Sequence, residues 1–410
     1  MINMGILGFL KQVKQRGAIY DALNLMDEAD GYGAFGRGPY KDSKHAAELC
    51  VEAAQIGERI RHDKTIRLAY SSAGRHYENA GVFNAAIECY TKSAAAARRM
   101  GDEESENSVC FGIAMCYAGL NEYEKAVEAM RRYGRFALEK GDIDHYKFSA
   151  GQIGGFLELC GDYTGAIATY IEATKFHDSD DNFPKSDTLF SLAGNCNVRL
   201  RDMESAAQNF MDAAENAIRC ENESSAGSYY LYAGICQHEG KIGDFAGTLQ
   251  KAITCCEADR EFVHGSNSTM GRCYEFLGDY GTAKSHFETA DLLLQTEVKK
   301  AKDKLAAAED WQKDMEKRTL SMYEGWLNEN RLFLMRNDSR ILFAEGKRGE
   351  AASKLEKVLV GFEQLLLKDP RPYINELELE KTKSLLEQTK KESEPRKKVS
   401  AFEYFPRKKR

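Results

Sequence analysis

The chain has 410 residues, 43% of them hydrophobic and 30% charged, with six prolines, and its 57 Lys and Arg against 64 Asp and Glu leave a net charge of −7. That composition excludes a collagen-like or disordered chain, and the bulk charge argues against a nucleic-acid partner. No apolar run reaches the roughly eighteen residues of a spanning helix, and Met1–Lys14 lacks a signal-peptide cleavage pattern, so a cytoplasmic protein is expected. The eleven cysteines include no CxxC pair, which points to reduced thiols used as small packing residues rather than to a disulfide or zinc framework.

Residues 1–40 read as an N-terminal helix and a Gly/aromatic loop. Gly31-Tyr-Gly33-Ala-Phe-Gly36 is a literal GxGxxG, but its flanks read as helix and no strand precedes it, so a dinucleotide site is not expected. Tyr32 and Phe35 stand among glycines with nothing local to cover them, and they form a candidate membrane or partner contact.

Residues 41–290 carry the strongest signal, opening with an incomplete unit whose second helix runs from Asp42 to Ile60. A small residue is followed twelve positions later by Ala in Gly74/Ala86, Ala114/Ala126, Gly154/Ala166, Gly194/Ala206, Gly234/Ala246 and Gly271/Ala283. The first five pairs recur every 40 residues and the sixth follows after 37. Helix-break signals lie between the members, as in Gly161-Asp-Tyr163, and Tyr90, Met130, Tyr170, Phe210 and Phe287 stand four residues after an Ala. Two antiparallel helices approach closely only where both carry small side chains, and the bulky residue then fills the wedge toward the next helix. Each hairpin leaves an apolar face for its neighbour to cover. The pattern resembles the tetratricopeptide (TPR) repeat, with a longer period and no closing Pro. The expected fold is all-α, a right-handed superhelical solenoid of TPR-like hairpins. Cys116, Cys196, Cys236 and Cys273 take one equivalent position in successive units, and His76 is expected to pack at the same place.

Residues 291–390 form a C-terminal helical extension. Asp291–Leu320 is rich in Lys, Glu, Ala and Leu without Gly or Pro, which predicts one helix running on without a turn. Ser339 and Ala351 with Gly346 between them mark a further hairpin, stopped at Asp369-Pro370-Arg371-Pro372. Asn375–Lys391 reads as a capping helix with one polar side. Residues 391–410 are a basic tail expected to be disordered. Arg396, Lys397, Lys398, Arg407, Lys408, Lys409 and Arg410 with Phe402, Tyr404 and Phe405 make it a candidate docking segment, lipid tether or nuclear-import signal.

Asp178–Asn182 resembles the start of a calcium loop but lacks its Gly and closing Glu. The eight histidines show no metal spacing, and no GxSxG, HExxH or P-loop occurs. No catalytic, cofactor or metal site is therefore expected, and the chain reads as a non-enzyme without a small-molecule substrate. Arg98, Arg99, Arg131, Arg132 and Arg135, with Lys92, cluster on second helices and their ends. They are candidates for meeting an acidic helical bundle, against the alternative of a solvated face.

The forty-residue unit is similar to that of the SNAP family, the soluble adaptors that join SNARE bundles to a disassembling ATPase. The resemblance rests on Phe35-Gly, Tyr40-Lys-Asp and Ala46-Ala-Glu-Leu49, then on Ala73-Gly-Arg-His-Tyr77 and Ala85-Ala-Ile-Glu-Cys-Tyr90. It covers residues 30–290 and implies an adaptor in vesicle traffic that binds SNARE-type helices along its inner curve. It also implies that Phe35, with Tyr32, dips into a bilayer. Three residues, Ser43–His45, are extra to the family's pattern. The chain ends in Arg407-Lys-Lys-Arg410 instead of an acidic segment closing with leucine, which puts ATPase stimulation in doubt. The alternative is a TPR scaffold subunit of a stable complex, like the forty-kilodalton huntingtin-associated protein, whose hairpins Asp162-Tyr-Thr-Gly-Ala-Ile167 resembles.

Overall fold

A computed structural model describes residues 2–32, 43–176, 185–309, 312–368 and 373–393. The described residues form seventeen helices and no strand. They divide into two compact units, Met1–Ala193 and Gly194–Arg410.

In the first unit the helices are α1 (Ile2–Tyr32), α2 (Ser43–Ile60), α3 (Asp63–Asn79), α4 (Phe83–Met100), α5 (Glu103–Gly119), α6 (Tyr123–Glu139), α7 (Ile143–Leu159) and α8 (Tyr163–Ala173). From α1 to α8 each packs on its successor. The small-residue rule explains the crossings. A Cβ on Gly154 would lie 2.2 Å from the Tyr170 ring, so only glycine admits that aromatic. Tyr90 is wedged between two hairpins, since a Cβ on either Gly74 or Gly112 would come within 2.6 Å of its ring. Ala86, Ala114, Ala126 and Ala166 are fully buried. Asp102, Asp142 and Asp162 cap the helices that follow them, accepting from the backbone N–H three residues on at 2.9–3.1 Å. His76 is buried as expected, with Asp30 at 3.9 Å.

Helix α9 (Ser186–Arg199) crosses from the first unit into the second, which continues with α10 (Met203–Arg219), α11 (Glu223–Gly240), α12 (Phe245–Ala258), α13 (Val263–Leu277), α14 (Tyr280–Ala307), α15 (Lys313–Ala344), α16 (Arg348–Lys368) and α17 (Tyr373–Ser393). Phe210 seats on Gly194 and Phe287 on Gly271, with closest approaches to a Cβ of 3.0 and 2.7 Å. Ala206 and Ala283 are fully buried.

Two expectations are corrected here. Ala246 is exposed and does not meet Gly234. The turn before α12 holds two extra residues, with Lys241 and Gly243 both at positive φ. Helix α12 therefore enters two positions late, Thr248 takes the buried place, and Leu249 lies against Gly234 in the aromatic's stead. Nor does the helix predicted over Asp291–Leu320 run through. It stops at Ala307, Ala308 is extended, and α15 folds back so that Leu294 and Val298 cover Leu327, Leu320 and Tyr323. Helix propensity alone favours continuation, but folding back buries both apolar stripes.

Candidate partner-binding surface

Helix α6 organises the most promising surface of the first unit. Ala126, Val127, Met130, Gly134 and Ala137 are buried, which leaves Arg131, Arg132 and Arg135 on exposed positions. Gly134 is the crossing point with α7, because a Cβ there would meet the Ser149 hydroxyl at 2.1 Å. A row of rings crosses three helices: Phe111 lies 6.0 Å from Tyr133 and 5.8 Å from Phe148, and Tyr133 lies 6.0 Å from His145. Burial, and then the charge of Asp142, raises the Tyr133 phenol above its usual range.

Two grooves flank α6. One, of about 680 Å³, lies against α5 and has Ile113, Tyr117 and Phe136 beside Arg132, Arg135 and Glu128. The other, of about 780 Å³, runs from the acidic start of α5 (Asp102, Glu103, Glu104) past Tyr133 and Phe136 to His145. Apolar floors with charge of both signs on the lips suit a polypeptide segment. Cys110, which lines the first groove, has its thiol raised above the usual range by burial, which disfavours the reactive thiolate.

The five predicted arginines are not equivalent. Arg98 and Arg132 both hold Glu106, at 2.7 and 2.6 Å. Those bonds, Arg98's first, keep the Glu106 carboxyl below its usual range. Arg99 is paired with Asp63 at 2.6 Å, and Lys92 with Glu88 at 2.7 Å. Arg131 and Arg135 have no ion-pair partner among the described residues, and both are exposed. The open positive charge of this cluster is therefore one turn of α6.

Tyr32 is the last residue of α1. Phe35, Asp178–Asn182 and the tail positions Arg396, Lys397, Lys398, Phe402, Tyr404, Phe405, Arg407, Lys408, Lys409 and Arg410 lie outside the described residues. Among the described residues no group of His, Cys, Asp and Glu could hold a metal, and no helix is long and apolar enough to cross a membrane.

Sequence reasoning missed two polar devices. Tyr70, Tyr90 and Tyr170 donate to Glu58, Glu78 and Glu158, each twelve residues earlier, at 2.9, 2.7 and 2.6 Å. That constant spacing is readable in the sequence. The second is a buried ionic network in the second unit. Arg336 donates to Glu275 at 2.7 and 2.9 Å and to Glu378 at 2.5 Å. Arg272 donates to Glu378 at 2.6 Å, and Arg340 to Glu275 at 2.9 Å. Lys381 lies over the Phe276 ring, 3.1 Å from its centroid. No local spacing announces these partners, which come from α13, α15 and α17.

Two family models match parts of the chain. A family model described as soluble NSF attachment protein, SNAP, matches residues 176–310, the stretch of α9 to α14. A tetratricopeptide-repeat model matches residues 108–133, within α5 and α6. No curated protein matches the chain. Similar solved structures include the apo quorum sensor NprR from B. thuringiensis, 12% identical over 95% of this chain and 92% of that one, with a TM-score of 0.37. BtubC from P. vanneervenii is 17% identical over 61% of this chain and 89% of its own, with a TM-score of 0.31. Yeast Tom70 is 13% identical over 90% and 96%, with a TM-score of 0.24. The chain is a helical repeat protein with a TPR-like solenoid, SNAP-like in sequence over residues 176–310, a fold suited to protein interaction.

Proposed function

We propose that the chain is a non-catalytic adaptor of SNAP type, acting on the cytoplasmic side of membranes and binding SNARE-type helical bundles. One observation carries the reading: the SNAP match falls on residues 176–310, where the hairpins close around Gly194 with Phe210 and Gly271 with Phe287. The open arginines of α6, Arg131 and Arg135, supply the charge that an acidic bundle would meet, and Phe35 supplies the membrane contact.

Pull-downs with an assembled SNARE bundle and flotation with anionic liposomes test the proposal. The unaltered chain is expected to bind both. Arg131→Glu with Arg135→Glu should weaken bundle binding at least tenfold, and Phe35→Ala should weaken flotation. Bundle binding that is absent, or indifferent to the double charge reversal, overturns the SNAP-type reading.

A further inference from the structure

The second unit contains a cavity of about 240 Å³ between α11, the start of α13 and α15. That is smaller than the pockets of drug-sized ligands, and it suits a single side chain. Phe262, half exposed, and Trp326, 38% exposed, stand at its rim with His264, whose ring lies 5.5 Å from Trp326. Deeper in the wall are Arg272, Tyr232 and Glu329.

The charges are unequally answered. Arg272 donates through Nη2 to Glu378 at 2.6 Å and rests on the Phe333 and Tyr232 rings, with centroids at 4.5 and 5.6 Å; its charge is therefore paired, although its Nε has no hydrogen-bond partner among the described residues. Burial lowers the proton affinity of His264, and the Glu297 and Asp259 charges offset only part of that. Glu329 has no hydrogen-bond or ion-pair partner among the described residues, yet part of its surface is open. Burial raises its carboxyl above the usual range, and the nearby Arg272 charge offsets only part of that. An anion entering the cavity would meet Glu329 directly, and an apolar group would leave its carboxyl desolvated and without a partner. A cation satisfies both Glu329 and the faces of the rim rings.

We propose that this cavity receives the cationic side chain, lysine or arginine, of a partner polypeptide, with Glu329 as its counter-ion and Trp326, Phe262 and His264 as its aromatic rim. The proposal rests on the reading of the chain as a protein-binding array, but not on the identity of the SNARE partner.

Trp326 provides the assay, because the chain has two tryptophans and Trp311→Phe in the full-length protein leaves Trp326 as the reporter. Acetylated, amidated tripeptides Ala-Lys-Ala, Ala-Arg-Ala, Ala-Gln-Ala and Ala-Glu-Ala are titrated at fixed ionic strength. The Lys or Arg peptide is expected to give a saturable change in emission, with at least tenfold higher affinity than the Gln and Glu peptides. Glu329→Gln should abolish that preference at unchanged circular dichroism. Glu324→Gln, on the same helix as Glu329 but paired with Lys302 of α14, should retain it. A fall in affinity with added salt for the Lys and Arg peptides, and not for the Gln peptide, gives a second readout on the unaltered glutamate. Equal binding of the Gln peptide overturns the proposal, as does a Lys preference that survives Glu329→Gln. A shift of Trp326 emission on replacing the seven tail Lys and Arg residues by Ser, with no peptide added, would place the chain's own tail in the cavity and also overturn it. Peptide binding without bundle binding would remove the SNAP-type reading and leave this site standing.

Discussion

Glu378→Gln is the sharpest perturbation available in the second unit. Glu378 is 1% exposed and accepts from both Arg272 and Arg336, at 2.6 and 2.5 Å. The substitution keeps the side chain's shape but removes the negative charge. Arg336 retains Glu275, whereas Arg272 is left without a contacting anion. Breaking one side of a buried ion pair costs about 3–5 kcal/mol. At about 2–4 °C per kcal/mol for a body of this size, the thermal midpoint should fall by about 6–20 °C. Glu380→Gln is the matched control: its pair with Arg201 at 2.5 Å is 54% exposed on both sides, so it should cost about 0–1 kcal/mol. Urea unfolding followed by circular dichroism measures both, and hydrogen exchange along α17 shows whether that helix is released first. The sign of the pH dependence follows from the carboxyl. Burial alone would raise it, but Arg336 and Arg272 outweigh burial and hold it far below the usual range. Its stabilisation is thus complete above the unfolded value of about 4.3 and is lost only as pH falls below that toward the folded value. With Lys381→Met in both chains, which removes the neighbouring ammonium that titrates at about 8, the gap between the parent and its Glu378→Gln variant should be level from pH 8 to 5 and narrow in stronger acid. A Glu378→Gln cost no larger than that of Glu380→Gln would refute the reasoning.

Other substitutions separate the packing arguments. Gly154→Ala should cost about 1–3 kcal/mol by overpacking, because its Cβ would enter the Tyr170 ring; Gly155→Ala, with nothing within 4 Å, should be neutral or gain up to about 1 kcal/mol from helix propensity. Chemical denaturation of the pair decides, and equal effects would count against the glycine-crossing account. Ala206→Glu places an unpaired charge at a fully buried position and should cost more than about 3 kcal/mol, while the exposed Ala246→Glu should stay within about 0.5 kcal/mol. Burial pushes the Lys381 ammonium down to about 8. The unfolded chain then binds the extra proton between pH 8 and about 10.4, so stability should rise with pH across that window relative to Lys381→Met. Parallel denaturation curves at pH 7, 9 and 10 test it, and a constant difference would sink the assignment.

The sequence makes the repeats readable because backbone approach tolerates so few residue types: Gly154 and Gly194 had to be small, and the rings that seat on them stand at a fixed distance. The same regularity misplaced Ala246. Capping residues would have corrected it, since Asp162, Asp202 and Asp279 each follow their small residue by eight positions and Asp244 follows Gly234 by ten. The break after Ala307 left no local mark, because Lys, Glu and Ala favour helix on both sides and only contact between Leu294 and Leu327 decides the turn. The arginines of α4 and α6 were legible as a cluster but not as a balance. Glu106, which holds Arg98 and Arg132, reads as one acid among several at the start of α5. Arg272 and Glu378 stand 106 residues apart, and each sits in a stretch that scans as ordinary polar helix.

The network also explains how the last helices keep register once small-residue crossings become sparse. An apolar helix face can slide against its neighbour by a turn, about 5.4 Å, and still bury hydrocarbon. Helix α17 cannot, because such a slip would carry Glu378 out of reach of both Arg272 and Arg336 and leave Glu378 and Arg272 buried without a contacting partner. Glu376 to Arg199 and Glu380 to Arg201 repeat the constraint at the solvent edge. Fixing α17 fixes Arg272 through Glu378, and Arg272 is part of the wall that surrounds Glu329. Ionic pairing in the interior therefore does for the cavity what glycine does for the hairpins: it permits one arrangement of the backbone and so one shape of the surface that a partner meets.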